Sequence, residues 1–420
     1  MYDSEWGSSS AVRADGLYPS GPWFESRLPY HHRVTDPDPA PLKQVARDWI
    51  ERAHPALVDL SHRIHANPEL GYQEVRASGW LSDVLEESGF TVERGVGGLP
   101  TAFRATYGNG SLCVAFIAEY DALPEVGHAC GHNIIATTAV GAAVGLAAVA
   151  EQADVAVLVI GTPAEEGGAG KVELLDAGIF NGVHAALMIH PGPGDVLEPE
   201  VLAAQSLEIV YTGVPSHAGA APERGVNAAD ALVVAQVALG LLRQSLLPTD
   251  RVHGIVKVGG EAMNIIPGRT EAIWMIRAAT VARLEEVRAK VRRCFEAGAL
   301  ASGATLEIKE HAVYADMRHD HDLTALYRAN LEALGHTFGA AIDFNRFSTD
   351  QGNVSYAVPA IHPILDIGSG EATNHQPEFA AATVTPAGDQ AILDGALALA
   401  WTAIDAALDK QVRSALTHRE

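Results

Sequence analysis

Apolar residues recur along this chain with two spacings, and the order in which the spacings alternate predicts a layered fold. Positions 42–64 and 77–88 carry them at intervals of three and four, the mark of an amphipathic helix. The blocks LCVAFIA at 112–118 and VAVLVIG at 155–161 are continuous and of strand length, and a third block follows at 185–190. Between the first two lies an apolar stretch over 134–150, rich in Ala, Gly and Thr. It is slightly short for a bilayer span and is followed by Glu151, so it predicts a helix buried in protein. A further short helix is predicted over 172–177. Strands separated by helices in this way predict an α/β body, a largely parallel sheet flanked by helices.

Near residue 203 the pattern changes. Residues 206–212, 252–258 and 270–278 read as strands with clearer in/out alternation, and 227–245 and 282–297 read as helices. Two helices on a small antiparallel sheet predict a smaller α+β unit, inserted over 203–315. The body then resumes with helices at 323–334 and 383–408 and a strand at 361–367, so that it comprises 42–202 and 316–420. Residues 1–41 follow neither period, yet they carry Trp6, Tyr18, Trp23, Phe24 and Tyr30. So many large rings predict an N-terminal arm that is partly docked on a surface.

Composition narrows the function. Of 420 residues, 48% are hydrophobic, and 29 Lys and Arg stand against 52 Asp and Glu, a net charge of −23. That surplus repels phosphate, so no nucleic-acid partner is expected, while a local basic pocket remains compatible with it. The three cysteines, Cys113, Cys130 and Cys294, are too few for a disulfide framework, and the sequence opens without a signal-like segment. The expectation is free thiols, a cytoplasmic location and no membrane partner.

Reactive side chains gather after the predicted strands. Cys130 and His132 lie two apart in a loop between strand and helix, where side chains enter the crevice at the carboxyl end of a sheet. Thiolate and imidazole favour zinc, and imidazole with carboxylate also accommodates manganese, iron or cobalt. The next strand runs into adjacent Glu165 and Glu166, and the third ends in His190. Two neighbouring carboxylates there divide naturally into a cation ligand and a proton acceptor. His375, in a polar loop late in the chain, completes the set.

With AEYDALP, GHACGHN, PAEEGG, SHAGAAPERGVNAAD, NIIPGR and NHQPEF in that order, the sequence resembles the aminoacylase and carboxypeptidase type of metallopeptidases and amidohydrolases. The likeness spans roughly residues 55–410 and is greatest to the branch of indole-acetyl-amino-acid hydrolases, p-aminobenzoyl-glutamate hydrolase and small-dipeptide hydrolases. It implies that Cys130, His132, Glu166, His190 and His375 bind one or two divalent ions, manganese or zinc, with Cys130 bridging. Glu165 would be the general base, and Asp121 would orient a ligand. The sequence departs from the family pattern at Glu119, where relatives carry Asp or His, and at Asn133, where many carry Asp; both leave the number of ions open. The resemblance also implies a homodimer in which His217 leans over the partner's site, and it implies that Asn264 and Arg277 hold the polar or carboxylate end of a small substrate.

The activity so implied is hydrolysis of a carbon–nitrogen bond by metal-activated water, in an N-acyl amino acid, a small dipeptide or an aryl amide. Two other readings fit the same residues. One is hydrolytic removal of ammonia from an electron-poor arylamine such as an aminobenzoate, and the other is a catalytically silent binding module, which would require the ligand set to be broken.

Overall fold

The computed structural model describes residues 38–338 and 346–418. The aromatic residues of the expected arm, with His31 and His32, lie outside the described residues. The arm's last positions already belong to a helix, Pro39–His65, which starts where Asp38 accepts a hydrogen bond from the Ala40 amide at 3.0 Å.

The body is built on a six-stranded sheet in the spatial order Thr91–Arg94, Phe103–Tyr107, Val155–Thr162, Leu112–Glu119, Ala185–Leu187, Ala360–Ile361. The last four run parallel to one another, and the first two add an antiparallel edge that the sequence pattern did not predict. Those two strands are short and largely polar or mixed, so they lack the continuous apolar signature of the central pair. On one face, Ala115, Ile117, Leu158 and Ile160 pack with Leu174 and Val354, from the helices Gly170–Asp176 and Gln351–Ala357. Against the other lies the helix His132–Ala147, with Pro39–His65 and Pro386–Leu408 packed on it. The small residues of this central helix allow the close approach: a Cβ on Gly145 would come within 2.5 Å of the Ile50 side chain. The expected burial of this segment is therefore observed, from His132 through Leu146.

The strand expected over 361–367 is in fact two. Ala360–Ile361 continues the main sheet, while Ile364–Asp366 leaves it and pairs with His190–Gly192. Pro363, between the two, has no amide hydrogen with which to continue a ladder. The block at 185–190 divides in step, with the His190 amide bonded to the Pro363 carbonyl at 2.8 Å. This fork turns His190 out over the end of the sheet.

The inserted unit is a wholly antiparallel sheet in the order Arg251–Val258, Arg269–Ala278, Ala203–Thr212, Thr305–Tyr314. Its fourth strand carries alternating charges and was not read as a strand from the sequence. Leu207, Ile209, Tyr211, Trp274 and Ile276 pack into the core formed with the helices Ala228–Leu242 and Val281–Ser302. The alternate residues, among them Ser206, Glu208, Met275 and Arg277, face a cleft of about 810 Å3 whose opposite wall is the body.

His336 fastens the back of the body: its Nδ1 lies 2.7 Å from Asp195 Oδ2 and its Nε2 lies 3.4 Å from Asp394 Oδ2. Hydrogen bonds to Asp195 first, then Asp394, raise its pKa from 6.5 to about 10. A raised histidine pKa contributes stability that is complete below the unfolded value and is lost as pH rises through the folded one. His336→Gln should therefore lower the melting temperature by a few degrees at pH 6, and the gap to the wild type should close as pH passes about 10. Melting curves of both proteins between pH 5 and 11 check the sign.

Candidate metal centre

Three strand ends and one late loop deliver the donors. Cys130 and His132 flank Gly131, whose φ of 77° lies in the left-handed region. A Cβ there would stand 2.8 Å from the Pro191 side chain, so glycine lets this loop close against the one bearing His190. The ring of His132 is fixed at its Nδ1, which donates to Asp121 through its carbonyl at 2.9 Å or its Oδ1 at 3.0 Å, leaving Nε2 facing the cleft. Burial opposes charge on this ring, but Asp121 outweighs it and raises the His132 pKa well above the ordinary value. Asp121 Oδ2 in turn accepts from the Glu166 amide at 3.0 Å, so one carboxylate positions two donors.

Glu165 and Glu166 follow the strand Val155–Thr162 through a bend at Ala164, whose φ is 58°. The bend is held where the Ala164 amide donates to Glu74, a fully buried carboxylate, at 2.8 Å. Burial, then the nearby Glu119 and Glu166, push the Glu165 carboxyl well above its usual range. Burial likewise lowers His190 to about 4, which favours the neutral ring that binds cations. His375 is held with φ at 71°, strained for a residue with a Cβ, and its backbone amide donates to the Ala129 carbonyl at 2.8 Å.

All five expected ligand residues converge. Cys130 Sγ lies 3.6 Å from His190 Nε2 and 3.8 Å from His375 Nε2, while Glu166 Oε1 lies 3.6 Å from His375 Nε2 and 4.0 Å from His132 Nε2. Glu165 Oε2 is 3.9 Å from His132 Nε2. Two of the atoms turned inward, His132 Nε2 and Glu166 Oε1, are buried without a hydrogen-bond partner. Soft sulfur, three imidazoles and a carboxylate, with orphaned lone pairs among them, fit a transition-metal cation.

Arg277 lines the same cleft, its Nη1 donating to Ser348 Oγ at 2.6 Å. His217 and Asn264 do not line this cleft: both are exposed, His217 on the short ribbon formed by Ser216–His217 and Ile265–Ile266 and Asn264 immediately before its second strand. That ribbon holds them to each other rather than to the cleft, the Ala218 amide donating to the Asn264 carbonyl at 2.9 Å. His217 Nδ1 accepts from the amides of Gly219 and Ala220, each at 3.1 Å, so its Nε2 carries the ring hydrogen as an outward donor.

Lys171, Asp350 and Asn374, which the sequence reading missed, stand behind the donors. Lys171 is fully buried, with Nζ 2.6 Å from Asp350 Oδ1 and paired also with Glu119. Asp350 further accepts from the Lys171 amide at 2.9 Å. Burial raises Asp350 to about 6 even though Lys171 pulls it down. Glu119 therefore reaches His132 Nε2, at 3.6 Å, from beside a lysine. The Asn133 side chain donates from Nδ2 to Ser61 Oγ at 2.9 Å, toward the long N-terminal helix. Asn374, next to His375, donates to Cys130 Sγ at 3.5 Å.

A cluster of this composition over the carboxyl ends of a parallel sheet, beneath an inserted roof, defines a metal-dependent hydrolase of the amidohydrolase class. The chain belongs to peptidase family M20/M25/M40, whose model matches residues 115–396. It is 41% identical over 383 residues to the Xaa-Arg dipeptidase of Mus musculus, covering 87% of this chain and 88% of that protein. It is 31% identical over 283 residues to a chain of the p-aminobenzoyl-glutamate hydrolase of Escherichia coli strain K12, covering 62% of this chain and 59% of that one. Among solved structures it is similar to a dinuclear metal-binding peptidase of family M20 from Bacillus subtilis, with a TM-score of 0.63, 23% identity, and 84% and 98% of the two chains covered.

Proposed function

We propose that this protein hydrolyses the amide bond of a small carboxylate-bearing substrate, a dipeptide or an N-acyl amino acid, using two bound divalent ions. The observation that carries the reading is the convergence of Cys130, His132, Glu166, His190 and His375 beside a second carboxylate, Glu165, in the cleft that also holds Arg277. The cleft volume suits a small molecule, and the two relatives named for their substrates act on a dipeptide and on an acylated glutamate. Cys130 belongs to one donor group with His132 and His190 and to another with Glu166 and His375, so these five residues would hold two ions. Manganese or zinc matches this mixture of sulfur, nitrogen and oxygen. When bound, such ions polarise a carbonyl and make water acidic.

The chain's own groups do the rest. Glu165 takes a proton from the attacking water and passes it to the departing nitrogen. Asp121 keeps His132 and Glu166 in place. Arg277 grips the substrate carboxylate with a guanidinium. His217 of the partner subunit donates from Nε2 to the carbonyl oxygen as that atom gains charge, and the partner subunit's Asn264 lies beside it.

That shared site requires a two-fold homodimer. Val233, Val237 and Leu241 form an exposed apolar stripe on the helix Ala228–Leu242, and the open edge strand Arg251–Val258 exposes Ile255 and Val256; both favour a pairing surface on the inserted unit. Mixing the two kinds of protomer tests it. Glu165→Gln and His217→Ala proteins, each nearly inactive, should on exchange regain about a quarter of wild-type activity, because half the dimers are hybrids with one intact site of two. No recovery after exchange confirmed by sedimentation would remove His217 from the partner's site.

The decisive assay for the function is turnover by manganese- or zinc-loaded protein of alanyl-arginine, p-aminobenzoyl-glutamate, N-acetyl amino acids and 4-aminobenzoate. Amide cleavage that stops on chelation and returns with metal supports the reading. Ammonia release from the aminobenzoate without amide cleavage would replace it.

A further inference from the structure

On the roof of the cleft, Arg251 stands directly across from Arg277 in the antiparallel pairing of Arg251–Val258 with Arg269–Ala278. Side chains opposite each other in such a pair leave the sheet on the same face, and both arginines line the cleft. Their neighbours Val252 and Ile276 point the other way, into the core with the two helices. Two like charges face to face in one register position destabilise a sheet unless an anion relieves them.

Among the described residues no carboxylate forms an ion pair with either guanidinium; Arg277 donates to Ser348 Oγ, and Arg251 to the backbone carbonyls of Pro248 and, at 2.8 Å, Asp250. The other guanidinium lining the cleft is matched, Arg346 with Glu200 at 2.6 Å. The unmatched positive charge is thus confined to one spot of the roof, in a protein whose net charge is −23.

We infer that Arg251 and Arg277 form a twin-guanidinium seat for the substrate's terminal carboxylate, and that Arg251 is the residue that makes the enzyme select free acids over C-terminal amides. The inference rests on the amide-hydrolase reading above and adds a specificity residue to it. Two guanidiniums converging on one carboxylate bind it more tightly than either alone, and a carboxamide offers them no charge to neutralise.

The test uses alanyl-arginine and alanyl-argininamide as substrates for the metal-loaded dimeric protein, with Arg251→Gln and Arg251→Lys. For Arg251→Gln, KM for the acid should rise about tenfold while KM for the amide changes little and kcat changes far less than KM. Arg251→Lys should keep most of the preference. Calorimetric titration with free arginine and argininamide, which needs no turnover, should show the same loss of discrimination in Arg251→Gln. Equal changes for acid and amide would mean that Arg251 only braces the Pro248–Asp250 turn, and an unaltered acid-to-amide ratio would equally overturn the inference. If the wild type cleaves neither dipeptide, the titration still decides whether Arg251 seats a carboxylate, while the amide-hydrolase reading fails only if every amide of the panel above is left uncleaved.

Discussion

Replacing Glu165 with Gln should lower kcat about a thousandfold while the metal content per protomer stays at the wild-type level. The isosteric amide keeps the shape of a side chain enclosed by Glu119, Glu166 and His132 but removes its capacity to carry a proton. The matching change at Glu166 should differ in what it does to the metal. Glu166 Oε1 is buried with no hydrogen-bond partner and lies nearer to His375 than Glu165 lies to His132, so Glu166→Gln should lose metal as well as rate. Elemental analysis of both purified variants beside steady-state rates separates the two carboxylates. Metal loss in Glu165→Gln, or a rate within tenfold of wild type, would reverse or remove the assignment.

Lys171→Met should be among the most destabilising single changes in the body, at about 3–5 kcal/mol, because it leaves Glu119 and Asp350 in the interior without their counter-charge. The side chains are similar in length, so the loss reports charge rather than volume. Combining Lys171→Met with Glu119→Gln and Asp350→Asn should recover most of the lost stability, since a neutral set needs no buried cation. Denaturant titrations of the single and triple variants measure both steps. A single variant as stable as wild type would show that the lysine does not carry the charge balance there.

The donors themselves were legible for a physical reason. A strand buried on both faces must be apolar throughout, so the first ionisable residues met at the ends of VAVLVIG and of AALMI at 185–189 stand out, and these are the positions from which side chains enter a crevice. Glu165, Glu166 and His190 could be placed on that ground alone. The inserted unit was visible in the change from continuous to alternating apolar positions at Ala203–Thr212 and Arg269–Ala278.

What escaped the reading depends on contacts between distant residues. Lys171 looks like any polar residue near the start of a helix, and only the fold brings Asp350 to it from 179 positions away. The edge strand Thr91–Arg94 is mostly exposed and so has no apolar imprint, while the fork at Pro363 shows in the sequence merely as a proline near a strand end. That His217 and Asn264 fail to line the cleft of their own protomer follows from the ribbon at which they sit, a pairing of two dipeptides that no periodicity signals.

Tyr314 ends the last strand of the inserted unit, and its hydroxyl donates to the backbone carbonyl of Glu165 at 2.7 Å. The roof is therefore tethered to the very peptide that aims the proton carrier. Chimeras that exchange the insertion between related enzymes to alter substrate choice will transmit any tilt of the new roof into that peptide, so the junction at Tyr314 sets how far selectivity can be rebuilt before proton transfer itself is disturbed.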